Sequence, residues 1–148
     1  MIVDKFMSSI SNVITLVFLN TPERLIRKWV HLKMEIKLLV LRTSHVKDLQ
    51  DFYNLLGFHF EYHKHGNSPL HYSALIDTMI LEIYPLAKNQ EEVDKNLRIG
   101  FSLDNFDDTI RTLKESNIPF SSEPVQTDYG YMAVVSDPDG RKVELYKK

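Results

Sequence analysis

The sequence predicts an α+β fold built from two copies of one βαβββ unit. Three observations predict it. The same order of strand-like and helix-like stretches occurs in residues 34–86 and 97–148; a polar, charged connector, Ala87 to Asn96, separates them; and both halves close on the same pattern, Glu82-Ile83-Tyr84 and Glu144-Leu145-Tyr146. Glu82 and Glu144 stand 62 residues apart, as do Tyr84 and Tyr146, Phe58 and Phe120, and Leu41 and Leu103.

Each element follows from local chemistry. Glu35 to Arg42 is a short aliphatic run that suits a buried strand. Ser44 is a candidate cap for a helix carrying Val46, Leu49, Phe52, Tyr53 and Leu56 at three- and four-residue spacing, and Gly57 stops it. Phe58 to His65 alternates: Phe58, Phe60 and Tyr62 face one way, and His59, Glu61, His63 and His65 the other. Gly66 to Pro69 is turn chemistry, after which His71 to Ile76 and Met79 to Tyr84 read as a hairpin ended by Pro85. In the second half, Leu97 to Leu103 is a strand, and Asp104 or Asp107 caps a helix through Ile110 and Leu113 that Pro119 closes. Phe120 to Pro124 extends outward, and the strands Tyr131 to Val135 and Lys142 to Tyr146 are joined by the turn Asp137-Pro138-Asp139-Gly140.

A chain of 148 residues, 43% apolar and 26% charged, is long enough for one globular domain with a real core. Its net charge of -2 offers no clustered positive surface for a polyanion, so nucleic acid is not an expected partner. The absence of cysteine excludes disulfides, thiolate zinc sites and cysteine nucleophiles, leaving His, Asp and Glu as metal ligands. It does not fix the compartment; a cytoplasmic location is the expectation. Residues 1–33 read as an N-terminal extension. Its apolar run Ile10 to Leu19 falls short of the ~20 residues that span a bilayer, so no membrane span is expected. Thr21-Pro22-Glu23 resembles a helix start, followed by Leu25, Ile26, Trp29 and Leu32 at helical spacing. Either an amphipathic helix lies there or the segment is upstream of a natural start at Met34.

Two stretches carry a family resemblance. Leu49-Gln50-Asp51-Phe52-Tyr53-Asn54-Leu55-Leu56-Gly57-Phe58 is similar to the first helix, and its FY..LGF ending, of the vicinal oxygen chelate superfamily; Asp137-Pro138-Asp139-Gly140-Arg141-Lys142-Val143-Glu144-Leu145 resembles its closing DPDG...EL hairpin. That superfamily comprises glyoxalases, bleomycin-resistance proteins and extradiol dioxygenases. The resemblance spans Met34 to Lys148. It implies paired modules forming a cup-shaped mixed sheet around a small ligand with the helices outside, often a divalent metal at the cup floor, and commonly a homodimer.

Family metal ligands come from the first and fourth strands of each module. Carried over singly, they fall on Glu82 and Glu144, and at or near Leu38 and Arg98, where the family usually supplies histidine. Leu38 and Arg98 cannot ligate a metal, so the resemblance implies a weakened, oxygen-only site suited to a hard ion if to any. Period-2 alternation puts Glu82 and Tyr84, and Glu144 and Tyr146, on the face opposite Leu81, Ile83, Val143 and Leu145. A guanidinium at Arg98 is then expected to bridge Glu82 and Glu144 in place of an ion. Two function classes follow. One is a small-molecule-binding protein whose cup is lined by Leu38, Tyr84, Arg98 and Tyr146. The other is a metal-assisted lyase, isomerase or dioxygenase using Glu82 and Glu144 as ligands, with Glu144 or His71 as catalytic acid or base. His59, His63 and His65 form an alternative ligand set on one strand face, weighed against an ordinary polar edge strand.

Overall fold

The computed structural model describes residues 34–148; the helix expected near Thr21, and His31, lie outside the described residues. In chain order the elements are β1 (Leu38–Thr43), α1 (Val46–Leu55), β2 (Glu61–His63), β3 (His71–Ile76), β4 (Met79–Pro85), β5 (Arg98–Leu103), α2 (Phe106–Glu115), β6 (Phe120–Thr127), β7 (Gly130–Ser136) and β8 (Lys142–Lys147). The βαβββ unit therefore occurs twice. Each copy makes its own four-stranded mixed sheet, in the order β1-β4-β3-β2 and β5-β8-β7-β6. Within each sheet the first strand pairs parallel to the fourth, and the remaining pairs are antiparallel.

The helices begin without side-chain caps. His45 and Asn105 take the cap positions, in place of the expected Ser44 and Asp104 or Asp107. Thr43 substitutes locally at the first, its Oγ1 accepting a hydrogen bond from the His45 amide at 2.9 Å. Both helices are followed by a residue with positive φ, Gly57 at 95° and Asn117 at 57°, which turns the chain toward the next strand.

Those two residues are 60 apart, as are the helix starts, Val46 and Phe106. Pairing with the fourth strand gives the same offset: Val40 lies opposite Glu82, and Gly100 opposite Glu144. The repeat thus runs at 60 residues through its first half and at 62 in its closing strands. Glu82/Glu144 and Tyr84/Tyr146 are structural equivalents. Leu41/Leu103 and Phe58/Phe120 are not: Leu41 pairs with Ile83, whereas Leu103 pairs two positions further on, with Lys147.

Alternation decides the core. Leu41, Leu81, Ile83, Phe101, Leu103, Val143 and Leu145 turn to the helix side and join Leu49, Phe52, Tyr53, Phe106, Ile110 and Leu113 in one apolar cluster drawn from both modules. Tyr53 stacks on Phe58, whose ring centroid lies 5.0 Å from that of Phe101 in the other module. Burying each such side chain contributes roughly 1.5–3 kcal/mol.

A polar cluster ties the modules together beside this core. Arg141 is 1% exposed. Its Nη1 donates to Asp137 Oδ2 (3.1 Å) and Asp139 Oδ2 (2.6 Å), its Nη2 to the Arg42 carbonyl (2.7 Å) and its Nε to the Asp94 carbonyl (3.0 Å). Asp139 also accepts from Thr43 Oγ1 at 2.9 Å, and Asp137 Oδ1 accepts from the amides of Asp139 and Arg141. The turn that closes the second module is therefore bonded to the end of β1 in the first.

Candidate functional site

The sheet faces opposite the core are open, and strand register arranges their side chains in rows. On the first module, one row runs His63, His71, Tyr84, Arg42; the next runs Glu61, Ser73, Glu82, Val40; the third contains Leu75, Ile80 and Leu38. Each row mixes one residue from every paired strand, because residues opposite one another share a face. Leu38, Leu75 and Ile80 are exposed. An open groove of about 360 Å³ is lined by His59, Glu61, Ser73, Leu75 and Ile80. The Tyr84 ring is sandwiched: Arg42 lies 5.3 Å from its centroid, and the His71 ring stacks on it at 4.0 Å.

On the second module the equivalent rows are Ser102, Tyr146, Met132 and Gly100, Glu144, Val134, with Arg98 and Lys142 in the third. Arg98 Nε pairs with Glu144 Oε1 at 2.7 Å. The Tyr146 hydroxyl donates a short hydrogen bond to the other carboxylate oxygen, Oε2. That bond, more than desolvation or the nearby charge, holds the Tyr146 phenol above its ordinary pKa, because ionisation would remove the donated proton. Gly100 makes room for the ring: a Cβ there would lie 3.1 Å from Tyr146 Cε2.

Sequence expectations about these residues are met unevenly. Glu82, Tyr84, Glu144 and Tyr146 do lie on the open faces. Arg98 does not bridge the two acids; among the described residues it pairs with Glu144, while Glu82 Oε1 faces His71 Nε2 at 3.7 Å. The two acids sit on separate sheets, each with its own neighbours. Leu38 stands diagonal to Glu82, whose direct partner on β1 is Val40. His71 is fully buried under its neighbours. The expected set His59, His63, His65 becomes His63, His65, His71, because β2 pairs His63 directly with His71. Period 2 alone cannot reveal that cross-strand pair, and a four-residue Gly66 to Pro69 turn would set His63 opposite Tyr72, one position off the observed register.

Comparison with known proteins agrees with this architecture. Residues 35–145 match the family model for the Glyoxalase/Bleomycin resistance protein/Dioxygenase superfamily. The chain belongs to that superfamily. A search of curated proteins found no match. Among solved structures, the chain is similar to TnmS3, an antibiotic binding protein from a Streptomyces species (TM-score 0.65, 21% identity, covering 79% of this chain and 98% of that one). It is also similar to the oxidase ChaP-H2 (TM-score 0.64, 15% identity, 79% and 95%) and to a superfamily member from Sphaerobacter thermophilus (TM-score 0.62, 17% identity, 78% and 98%). Superfamily members often use a divalent metal, and the residues here do not fit one at the matching positions. Leu38, Val40 and Gly100 offer no donor atom, Arg98 is a cation, and both Glu144 oxygens are already engaged.

Proposed function

We propose that the protein binds a small polar or aromatic molecule on these open sheet faces, without the ion that many superfamily members place there. The observation that carries this reading is the occupation of Glu144 by Arg98 and Tyr146. A guanidinium fixed on the carboxylate supplies the positive charge that an ion would otherwise bring, and presents its remaining N–H donors to a ligand acceptor. Tyr146 offers its ring for stacking, Tyr84, whose faces His71 and Arg42 cover, offers its hydroxyl edge, and Leu38, Leu75 and Ile80 an apolar wall. That one protein of similar fold is an antibiotic binding protein is in keeping with a small-molecule ligand.

The test is calorimetry and thermal shift of chelator-treated protein against a panel of planar aromatic antibiotics. At least one is expected to bind and raise the melting temperature. Tyr146→Ala is expected to weaken that binding about tenfold, the equivalent of ~1.4 kcal/mol of stacking and hydrogen bonding. Binding or turnover that appeared only with an added divalent ion, and vanished in Glu144→Gln, would favour a metal-dependent lyase, isomerase or dioxygenase instead.

A homodimer belongs to this proposal. Among the described residues each sheet has four strands, and Leu38, Leu75 and Ile80 leave an apolar stretch on the first one exposed. A second copy completing the cup would cover it. Sedimentation velocity is expected to give the mass of two chains, and a monomeric mass at all concentrations would remove this part of the proposal.

A further inference from the structure

We infer that His63, His65 and His71 form a binding site for one divalent transition-metal ion of the zinc and nickel class, away from the strand positions that the superfamily resemblance assigns to metal. The inference goes beyond the proposed ligand cup and does not depend on it. The donor nitrogens of the three rings lie within 4.8 Å of one another, and the ring centroids are 4.6, 4.8 and 5.3 Å apart. A tight hairpin makes this possible. His63 and His71 are direct cross-strand partners, and His65 is held at the turn by the bond from its amide to Ser68 Oγ (2.9 Å), with Gly66 at φ +50° reversing the chain.

His71 points to a ligand most directly. Its Nδ1 lies 3.1 Å from the Pro69 carbonyl oxygen. An oxygen that can only accept requires a protonated Nδ1 there, which leaves Nε2 with a bare lone pair in the neutral ring. Nε2 is buried, has no hydrogen-bond partner among the described residues, and faces Glu82 Oε1 at 3.7 Å. In the neutral ring that lone pair meets a carboxylate oxygen, a contact that either a proton or a metal cation on Nε2 relieves, and the two neighbouring imidazoles favour the metal. Orientation of a ligating imidazole by a carbonyl on its other nitrogen is the usual support for a metal-bound histidine. His63 Nε2 lies 3.0 Å from Ser73 Oγ; with Nε2 as the donor of that bond, Nδ1 carries the lone pair that ligates. Metal–nitrogen bonds of about 2.0–2.1 Å require the donors to close up, and the exposed His65 can swing inward to do so. Imidazole donors select zinc, nickel or copper over magnesium or calcium. Three protein nitrogens leave a fourth position for water or for Glu82.

The test is calorimetric titration of untagged, chelator-treated full-length protein with Zn²⁺, Ni²⁺ and Mg²⁺. One Zn²⁺ or Ni²⁺ per chain is expected at micromolar affinity or tighter, with no Mg²⁺ uptake. His63→Gln and His65→Gln are each expected to weaken binding at least tenfold; His65 is exposed, so its loss leaves the fold intact. Glu144→Gln is expected to retain the ion. Absence of stoichiometric uptake, or uptake indifferent to His63→Gln and His65→Gln, would overturn the inference. Uptake lost in Glu144→Gln would locate the ion elsewhere and count against both this site and the metal-free cup. Failure of the titration alone leaves the antibiotic panel, run with chelator, unaffected.

Discussion

Arg141→Met is expected to destabilise the protein by about 3–5 kcal/mol, the cost typical of removing one partner from a buried ion-pair cluster. The magnitude follows from what stays behind. Asp137 and Asp139 are 4% and 9% exposed, and Arg141 is the cation bonded to both. Without it two carboxylates share a dry site, and the carbonyls of Arg42 and Asp94 lose their guanidinium donors. Methionine keeps most of the volume, so the loss reports electrostatics and hydrogen bonding and not a cavity. Arg141→Lys is expected to lose less, because it keeps the charge but not the fork of donors that reaches four oxygens. Urea denaturation with an unchanged m-value measures both variants. A loss under about 1 kcal/mol for Arg141→Met would mean that the cluster contributes little beyond its own desolvation.

Leu81→Ala and Ile80→Ala are expected to differ sharply although they are neighbours. Leu81 is 0% exposed, on a strand paired on both sides, with Leu39 and Ala74 as its lateral partners. Truncating it removes apolar contacts and leaves a cavity, for about 2–5 kcal/mol. Ile80 points to the open face and is 41% exposed, so its truncation is expected to cost within about 0.5–1 kcal/mol in the isolated chain. Denaturation midpoints compare the two directly. Equal losses would contradict the assignment of core and open faces on which the candidate site rests. If a second copy covers the first sheet, Ile80→Ala shifts the dimer equilibrium instead of the fold.

Much of this was legible because alternation is a local property. Two strand–helix–three-strand units, the faces of Glu82 and Glu144, and the Asp137 to Gly140 turn all follow from side-chain period and turn chemistry. What escaped depends on pairing. The alternating stretch from Phe58 pairs only over Glu61–His63, and it ends there because β3 begins at His71, the partner of His63. β6 runs on to Thr127, past Pro124, with register shifts on either side of Ser122; proline cannot donate to a ladder, and the strand accommodates it at the sheet edge. A single 62-residue offset concealed a repeat that changes to 60, because chance identities in strand-rich sequence match as easily as true equivalents. The Arg141 cluster and the bond between Arg98 and Glu144 join residues that the sequence separates by dozens of positions, and no periodicity marks them.

The Arg141 bond to the Arg42 carbonyl spans 99 residues. During synthesis the end of β1 emerges before the partner that will cover it, which lies 99 residues further along the chain. Contacts so distant in sequence carry a high loop-closure cost and form late. Until the second module packs on the first, the apolar cluster that both share lacks half of its cover, and this interval, more than the finished fold, is when the chain is most open to aggregation or to chaperone capture.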